Sequence, residues 1–533
     1  MGLPDDKSAW PPAEHTERYS RMKTTSTWYG GSAERLKQLY GGDVADSNRG
    51  KRNWLSNAFN WLWGRTDPTR LDEKLHVPVA QDIATLSSEM LFARSPKFVV
   101  QHTKFAADGT PSPEQDAAVA KTQARLDVLL DSCGLDATLL AAGEVASALG
   151  STGMKLAWNK GVIDKPVIVR VDADAVIPEY TWGQLTAVTF WSIVKSDGET
   201  KWFHLERHEP GVIRHGLYKG TTGNLGKRVP LAELPQLAEL AQLVGEDGES
   251  ILTVPDAITG ISVPNMLPDP LDRTANAGRS DFTPGVLQLF DAIDKTYTSL
   301  MRDIDDGKSR LLVADYMLES QGIGKGVGFD EEQHLFTRLK MQPSDSGDAP
   351  ISQVQFSIRV AEHIAAIDQL TQTAVKSAGY SPQSLGDYEA GSAMTATEVA
   401  ARERKSISTT SKKQRYWQEL ERLLYGLLQI DATYFASGIE PLPVKIEWQA
   451  PASDSMKTLA ETVKLMKEAE AASLRVRVAA LHPDWDDSEV DEEVTAIQSE
   501  SSAVDPTTFG LPKPPADVNA DDATAFSDDD AEA

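Results

Sequence analysis

The sequence predicts an α+β protein in which one block of antiparallel strands is set between groups of helices. Three observations carry that expectation. From Met154 to Tyr218 apolar and polar residues alternate, as in VIVRVDADAVIPEY and LTAVTFWSIVKS, which is the period of half-buried strands. On either side of that block apolar residues recur at spacings of three and four, the period of amphipathic helices. At 533 residues, 41% apolar and 25% charged, the chain is an ordinary globular sequence too long for a single core, so several units are expected.

Taken in order, the first 70 residues hold a polar, aromatic helical stretch from Trp28 to Tyr40, followed by NWLSNAFNWLWG. Its spacing puts Trp54, Ala58, Trp61 and Leu62 on one helical face. Packing on the domain or on a neighbouring subunit explains that face better than insertion into a membrane surface. HVPVAQDIATLSSEMLF reads as a turn at Pro78 and a helix with Ile83, Leu86, Met90 and Leu91 inward. A polar loop (101–116) and helices at 116–132 and 136–149 follow. Within the strand block, TKWFHLERHEPGVIRHGLYKG is a hairpin turning at Glu209-Pro210-Gly211. Residues 231–245 read as helix and 251–268 as strand and loop.

Phe282–Asp305 is a strong helix: Pro284 fits its first turn, and Leu287, Phe290, Ile293, Tyr297, Leu300, Met301 and Ile304 form its stripe. A small β-containing module spans Ser309 to Gln355. The helix at 356–378 uses Val360, Ile364, Ile367, Leu370 and Ala374. The capping box Thr395-Ala396-Thr397-Glu398 opens a helix expected to run unbroken to Phe435. After the strand PVKIEW come one or two acidic helices (453–480 and 487–499). Beyond residue 500 the Pro-, Asp-, Ala- and Ser-rich chain has no periodicity and reads as disordered.

Charge and composition exclude several functions. No run of 18 uncharged apolar residues exists, so no membrane-spanning helix is expected. The opening MGLPDDKSAW has neither the basic nor the apolar region of a secretory signal, and the single Cys133, in an apolar helical context, fits a reducing compartment. Net charge is −26; the stretch from Leu481 onward holds 16 acids and one lysine, −15, which leaves −11 for the first 480 residues. An acidic body does not grip nucleic acid by bulk charge, yet it suits a surface past which nucleic acid slides.

The enzyme-like patterns are weak. His204, Glu206 and His208 miss the zinc-protease spacing by one place, and the alternation Trp202-Phe203-His204-Leu205-Glu206 argues for a strand. Folding about the Glu-Pro-Gly turn sets Glu206 opposite His215, on the face of His204 and His208, a polar cross-strand cluster that needs no metal. In QGIGKGVG, Lys325 is followed by Gly326 where a phosphate loop needs Ser or Thr. GLYKGTTGNLGK is too irregular for a dinucleotide fingerprint. Asp172 and Asp174 have no catalytic partner placed beside them by any motif. Neither a catalytic group, a cofactor nor a metal is expected.

One segment stands apart. GYSPQSLGDYEAGSAM (379–394) is a long loop between two strong helices, glycine-rich and acidic, of the kind that is usually functional. Beyond it ARERKSISTTSKKQR sets Arg402, Arg404, Lys405, Lys412, Lys413 and Arg415 against the single acid Glu403, the one concentrated basic stretch in the chain. A solvated face paired with acids of the body or of a neighbour accounts for it, and so does phosphate contact.

The order HVPVAQDIATLSSEMLFARSP, VDADAVIPEYTWGQLTAVTFW, HLERHEPGVIRHGLYKG, GRSDF, LMRDIDDGKSRLLV and GYSPQSLGDYEAGSAMTATEVAARERKS resembles portal proteins of tailed bacteriophages. The resemblance, from about residue 20 to 500, is to the siphovirus type found in phages of actinobacteria. It implies a portal fold: a mixed wing (1–282), a stem of two helices (283–306 and 356–378), a clip between them (307–355), a tunnel loop (379–394), a wing helix and strand (395–449) and a helical crown (450–500). The acidic tail, 501–533, is not part of it. The implied assembly is a dodecameric ring at one capsid vertex of the virion, built in the bacterial host cytoplasm. Its implied partners are double-stranded DNA in the channel, the terminase large subunit, a head–tail adaptor, and the major capsid and scaffolding proteins, with no membrane. Gln383, Ser384, Asp387, Tyr388 and Glu389 would face the DNA. Lys308, Arg310, Lys325 and Arg338 of the clip would meet the motor or adaptor. The basic residues from Arg402 to Arg415 would touch DNA or a neighbouring subunit. Twelve copies at −26 total −312, a lumen that repels phosphate. A tail or baseplate structural protein and a metal-dependent phage hydrolase are the competing readings.

Overall fold

The computed structural model describes residues 2–45, 75–105, 111–159, 163–273, 276–306, 310–314, 336–339, 352–354, 359–386, 396–449, 456–482, 485 and 487–503. The aromatic stretch at Trp54–Trp63, the glycine-rich loop with Lys325, and the tail from residue 504 lie outside them. Residues 1–451 form one compact unit and 452–533 a second.

The first unit opens with α1 (Thr16–Tyr29) and α2 (Ala33–Ala45), then α3 (Val79–Phe92), which buries Ile83, Leu86 and Leu91 as its spacing predicts. Strand β1 (Lys97–Val100) precedes α4 (Pro113–Cys133) and α5 (Leu135–Leu149). Pro113 starts α4, where a missing N–H costs nothing, and Gly134 ends it in the left-handed region at φ 59°. On α5, Gly143 has no side chain to keep Phe92 away: an added Cβ would stand 3.0 Å from its ring, so α3 and α5 pack closely.

The strand block is antiparallel throughout. β2 (Ser151–Ala157) and β3 (Val167–Asp172) form one small sheet. A larger meander runs β4 (Val176–Thr181), β5 (Gln184–Asp197), β6 (Thr200–Glu209), β7 (Val212–Thr221) and β8 (Asn224–Val229) in spatial order. The β6–β7 hairpin turns where the sequence places it, with Glu206 directly opposite His215. Residues 3–10 lie along its far edge: Tyr218 donates to the Pro4 carbonyl at 2.6 Å, and Trp10 packs edge-on against Trp191. The helix expected over 231–245 is replaced by two 3-10 turns and a short α6 (Ala238–Leu243). Pro235 is the reason: it lacks the N–H that a continuous helix would use and pushes Leu234 into extended backbone. β9 (Ser250–Leu252) then pairs with β7, and β10 (Gly260–Pro264) completes the small sheet beside β2.

Helix α7 (Pro284–Asp306) is followed by short strands β11 (Arg310–Ala314), β12 (Phe336–Leu339) and β13 (Ser352–Val354), with β11 central, parallel to β12 and antiparallel to β13. Helix α8 (Val360–Ala378) returns antiparallel to α7: His363 pairs with Asp303 at 3.0 Å at one end, while Val286, Phe290, Ile293, Ala374 and Val375 share a core at the other. Away from that core the stripe emerges into solvent, with Tyr297 37%, Met301 38%, Ile304 36%, Val360 38% and Ile364 48% exposed.

The helix expected to run unbroken to Phe435 is two helices, α9 (Ala396–Tyr416) and α10 (Glu419–Tyr434). At the joint, Leu420 and Glu421 donate to carbonyls three residues back, and the tightened turn seats Trp417 edge-on against Phe92, 4.8 Å between ring centroids. Strand β14 (Val444–Glu447) pairs with β1 and closes the main core. Among its described residues the second unit holds three helices where one or two were expected: α11 (Met456–Glu468), α12 (Leu474–Leu481) and α13 (Asp487–Ala503). Glu470 in the left-handed region breaks the first, and Ser473 caps the next by accepting from the Val476 N–H. Arg475 bonds Asp491 at 2.7 Å, tying α12 to α13.

Candidate functional site

A buried polar cluster of the first unit is built around Lys413. This residue sits on the inward side of α9 with 1% of its surface exposed, so it is not among the outward basic residues that the sequence suggests. Its ammonium donates to Asp281 Oδ2 at 2.6 Å, to Ser87 Oγ at 2.8 Å and to the Tyr380 hydroxyl at 2.8 Å. Asp281 also accepts from Ser147 (2.7 Å), from Tyr380 (3.0 Å) and, at its other oxygen, from Asn265 (2.9 Å). Six segments therefore meet here: α3, α5, the loop after β10, the entry to α7, the exit of α8 and α9. Burial pushes the Lys413 ammonium below its usual range while the Asp281 charge holds it up. Burial, with the same carboxylate beside it, drives the Tyr380 hydroxyl well above its ordinary value. With Lys413, Asp281 and Tyr380 each at most 4% exposed, the cluster has no surface to offer a substrate. Its chemistry is cohesion.

The glycines at its margin are required by backbone contact. Gly278 has φ +86°, and a Cβ there would stand 2.3 Å from the Gly150 carbonyl oxygen. A Cβ on Gly150, at φ +96°, would stand 2.8 Å from the Ser280 nitrogen and 2.9 Å from the Arg279 carbonyl carbon. The helix-to-strand crossing after α5 and the strand-to-helix crossing before α7 can touch only because neither residue has a side chain.

The same cluster anchors the loop after α8. Gly379 takes φ +108° and its carbonyl accepts from Thr409; Tyr380 and Ser381 are buried, and the Ser381 N–H donates to Ser406 Oγ at 2.8 Å. A 3-10 turn, Pro382–Leu385, follows, in which Ser384 and Ser406 hydroxyls bond at 2.9 Å. The segment 379–386 is thus fixed onto α9 rather than mobile along its length, because its small polar residues find hydroxyl partners on the helix. Of the residues suggested as DNA-facing, Gln383 and Ser384 lie in that turn, half-buried. Asp387, Tyr388 and Glu389 lie outside the described residues.

Of the basic residues, Arg402 lies on α9, and Arg404, Lys405, Lys412 and Arg415 are exposed. The Lys405 ammonium donates to the Lys376 carbonyl at the end of α8. Arg310 and Arg338 stand on β11 and β12, in register with Val354 and Val313. Lys308 and Lys325 are outside the described residues.

The histidines form a second cluster, on the β6–β7 hairpin. Glu206 is bonded to His208 Nε2 (2.9 Å) and to the Lys155 ammonium, and His208 Nδ1 meets Thr259 Oγ1 at 2.8 Å. His204 and His215 stack with centroids 5.4 Å apart, Nδ1 to Nε2 3.3 Å. The one carboxylate is already engaged, and no group of three or more metal-ligating side chains occurs among the described residues. Burial, with Lys155 and the neighbouring imidazoles, pushes His215 down to about 4 even against the pull of Glu206, and burial likewise lowers His204.

Two predictions follow from these clusters. Lys413→Met should cost about 3–5 kcal/mol in chemical denaturation by leaving Asp281 buried and unpaired, and Lys413→Met/Asp281→Leu should cost distinctly less, a coupling measurable in a double-mutant cycle. His215 is neutral when folded and binds a proton more readily when unfolded. Its contribution is therefore complete above about pH 6.5 and is lost as pH falls toward about 4. A pH series of thermal midpoints should show that decline, and His215→Gln should flatten it.

Among known proteins, the family model described as "Phage portal protein, SPP1 Gp6-like" matches residues 9–507. No curated protein matches the chain.

Proposed function

The chain belongs to the phage portal protein family, a structural and not an enzymatic one, and from that premise we propose that it forms a dodecameric ring of the siphovirus type at one capsid vertex. In this reading the ring is the channel for DNA packaging and ejection. α7 and α8 are the stem, and the three short strands β11–β13 belong to the clip that meets the terminase large subunit and later the head–tail adaptor. The segment between α8 and α9 carries the DNA-facing loop, the first 282 residues and α9, α10 and β14 make the wing, and the second unit is the crown. The capsid and scaffolding proteins hold the assembly in place. No helix among the described residues is long and apolar enough to cross a membrane.

The single observation that supports this best is the α7–α8 pair. At one end it is sealed into the protein by Phe290, Ile293 and Val375; at the other, Tyr297, Met301, Ile304, Val360 and Ile364 are left in water. A helical hairpin with an unpartnered apolar stripe gains by lying against copies of itself, where each buried aliphatic side chain contributes about 1.5–3 kcal/mol. Closing such contacts into a ring needs no other component.

The test is electron microscopy of the purified protein, which should show rings with a central channel. Met301→Glu/Ile364→Glu should leave the monomer's thermal midpoint nearly unchanged, because both side chains are exposed, and should shift the population to monomer. Rings unaffected by that pair of changes would remove the stem assignment. A second variant probes the loop. Deleting Asp387–Gly391 spares the hydroxyl contacts of Ser381 and Ser384 with Ser406, so rings should form and DNA packaging should stall. Normal packaging would remove the tunnel-loop role.

A further inference from the structure

Helix α9 has two opposite sides. At about 100° per residue, Lys413, Ser406 and Thr410 share the inner one, and Arg404, Ser408, Ser411 and Arg415 gather on the outer. All four outer residues are exposed, with Lys405 and Lys412 along one flank. Among the described residues no acid pairs with Arg404, Lys412 or Arg415. The ridge runs about 16 Å from Arg404 to Arg415 at helical rise, without a compensating acid among the described residues.

Helix α3 is arranged the opposite way. Ser87 turns toward Lys413 of α9, 2.8 Å from its ammonium. Asp82, Thr85 and Glu89, roughly on the other side of the same helix, open onto a cavity of about 630 Å³ that Asp368 and Gln372 of α8 also line. No lysine or arginine lines that cavity, and Asp82, Glu89 and Asp368 have no ion-pair partner among the described residues. Burial without a cation nearby raises the Asp82 carboxyl above its usual range. Since Lys413 and Ser87 are in contact, ridge and groove face away from one seam in opposite directions. One is positive and convex, the other negative and concave.

A closed ring is built from a heterologous interface, in which one patch of a copy meets a different patch of the next. We propose that the α9 ridge of one copy seats in the acidic groove between α3 and α8 of the neighbouring copy, with Arg404 and Arg415 facing Asp82, Glu89 and Asp368. The pairing rests on the ring reading above and names its electrostatic contact. A phosphate backbone would satisfy the ridge alone and leave the groove carboxylates uncovered; a second copy satisfies both. Contacts of this type steer association and choose register, and salt screens them over about 10 Å at 0.1 M.

The experiment uses full-length chains and counts rings by electron microscopy and sedimentation. Variant one carries Arg404→Glu/Arg415→Glu, and variant two carries Asp82→Lys/Glu89→Lys. Each alone sets like charge against like and should lose ring yield by roughly tenfold or more. An equimolar mixture should restore rings, because each variant's ridge then meets the other's groove with opposite sign; this rescue also establishes that both variants fold. Rings from variant one alone at the normal yield would overturn the pairing, as would a mixture that fails to rescue. Intact rings that lose packaged DNA would overturn it too, assigning the ridge to phosphate. If the unmodified chain forms no rings at any salt concentration, the portal reading itself falls, an outcome distinct from failure of the pairing.

Discussion

A lysine ammonium held away from water must be met by a carboxylate and by hydrogen-bond acceptors, or its desolvation outweighs everything else at that point. Lys413 meets all of these requirements with groups from remote parts of the chain: Asp281 is 132 residues away and Ser87 is 326. Satisfying one side chain therefore fixes where α3, α5, α7, α8 and α9 lie against one another. The entry to α7 and the exit of α8 are held on the same carboxylate, by Asp281 itself and by Tyr380. The helical hairpin is thus rooted at a rigid point, while its far end projects with its apolar stripe uncovered.

From that root the rest of α9 acquires its meaning. Because Lys413, Thr410 and Ser406 point inward, Arg404, Ser408, Ser411 and Arg415 must point outward, and the loop after α8 is drawn onto the helix through Ser381 and Ser384. Residues 379–386 of that loop are held in this way.

Much of the fold was legible in the sequence, and for local reasons. The β6–β7 turn at Glu209-Pro210-Gly211 follows from turn chemistry, and once it is placed, the two-residue period of strands puts Glu206 opposite His215. The start of α7 follows from Pro284, whereas α4 begins at Pro113, three residues before the start that its spacing suggests. Less legible was 231–245, where the apolar spacing outweighed a proline that breaks the helix. The joint at Trp417 was invisible because no breaking residue marks it; the turn tightens to bring an indole against Phe92, a partner 325 residues earlier in the chain. Lys413 carried a signal that composition concealed. The stripe Trp417, Leu420, Leu424, extended backward in steps of four and three, passes through Lys413, Thr410 and Ser406, which places the lysine on the buried side.

By itself, then, the sequence determined the periodic elements, the hairpin register, the acidic balance and the succession of segments that marks the family, since these depend on neighbours within a few residues. Only the tertiary structure decided which partners meet Lys413 and which basic residues make a ridge, that residues 379–386 are held onto α9, and that an acidic groove lies on the other side of the same seam. Burial of a charge is settled by partners that the chain brings from hundreds of residues away, and no local pattern encodes their arrival.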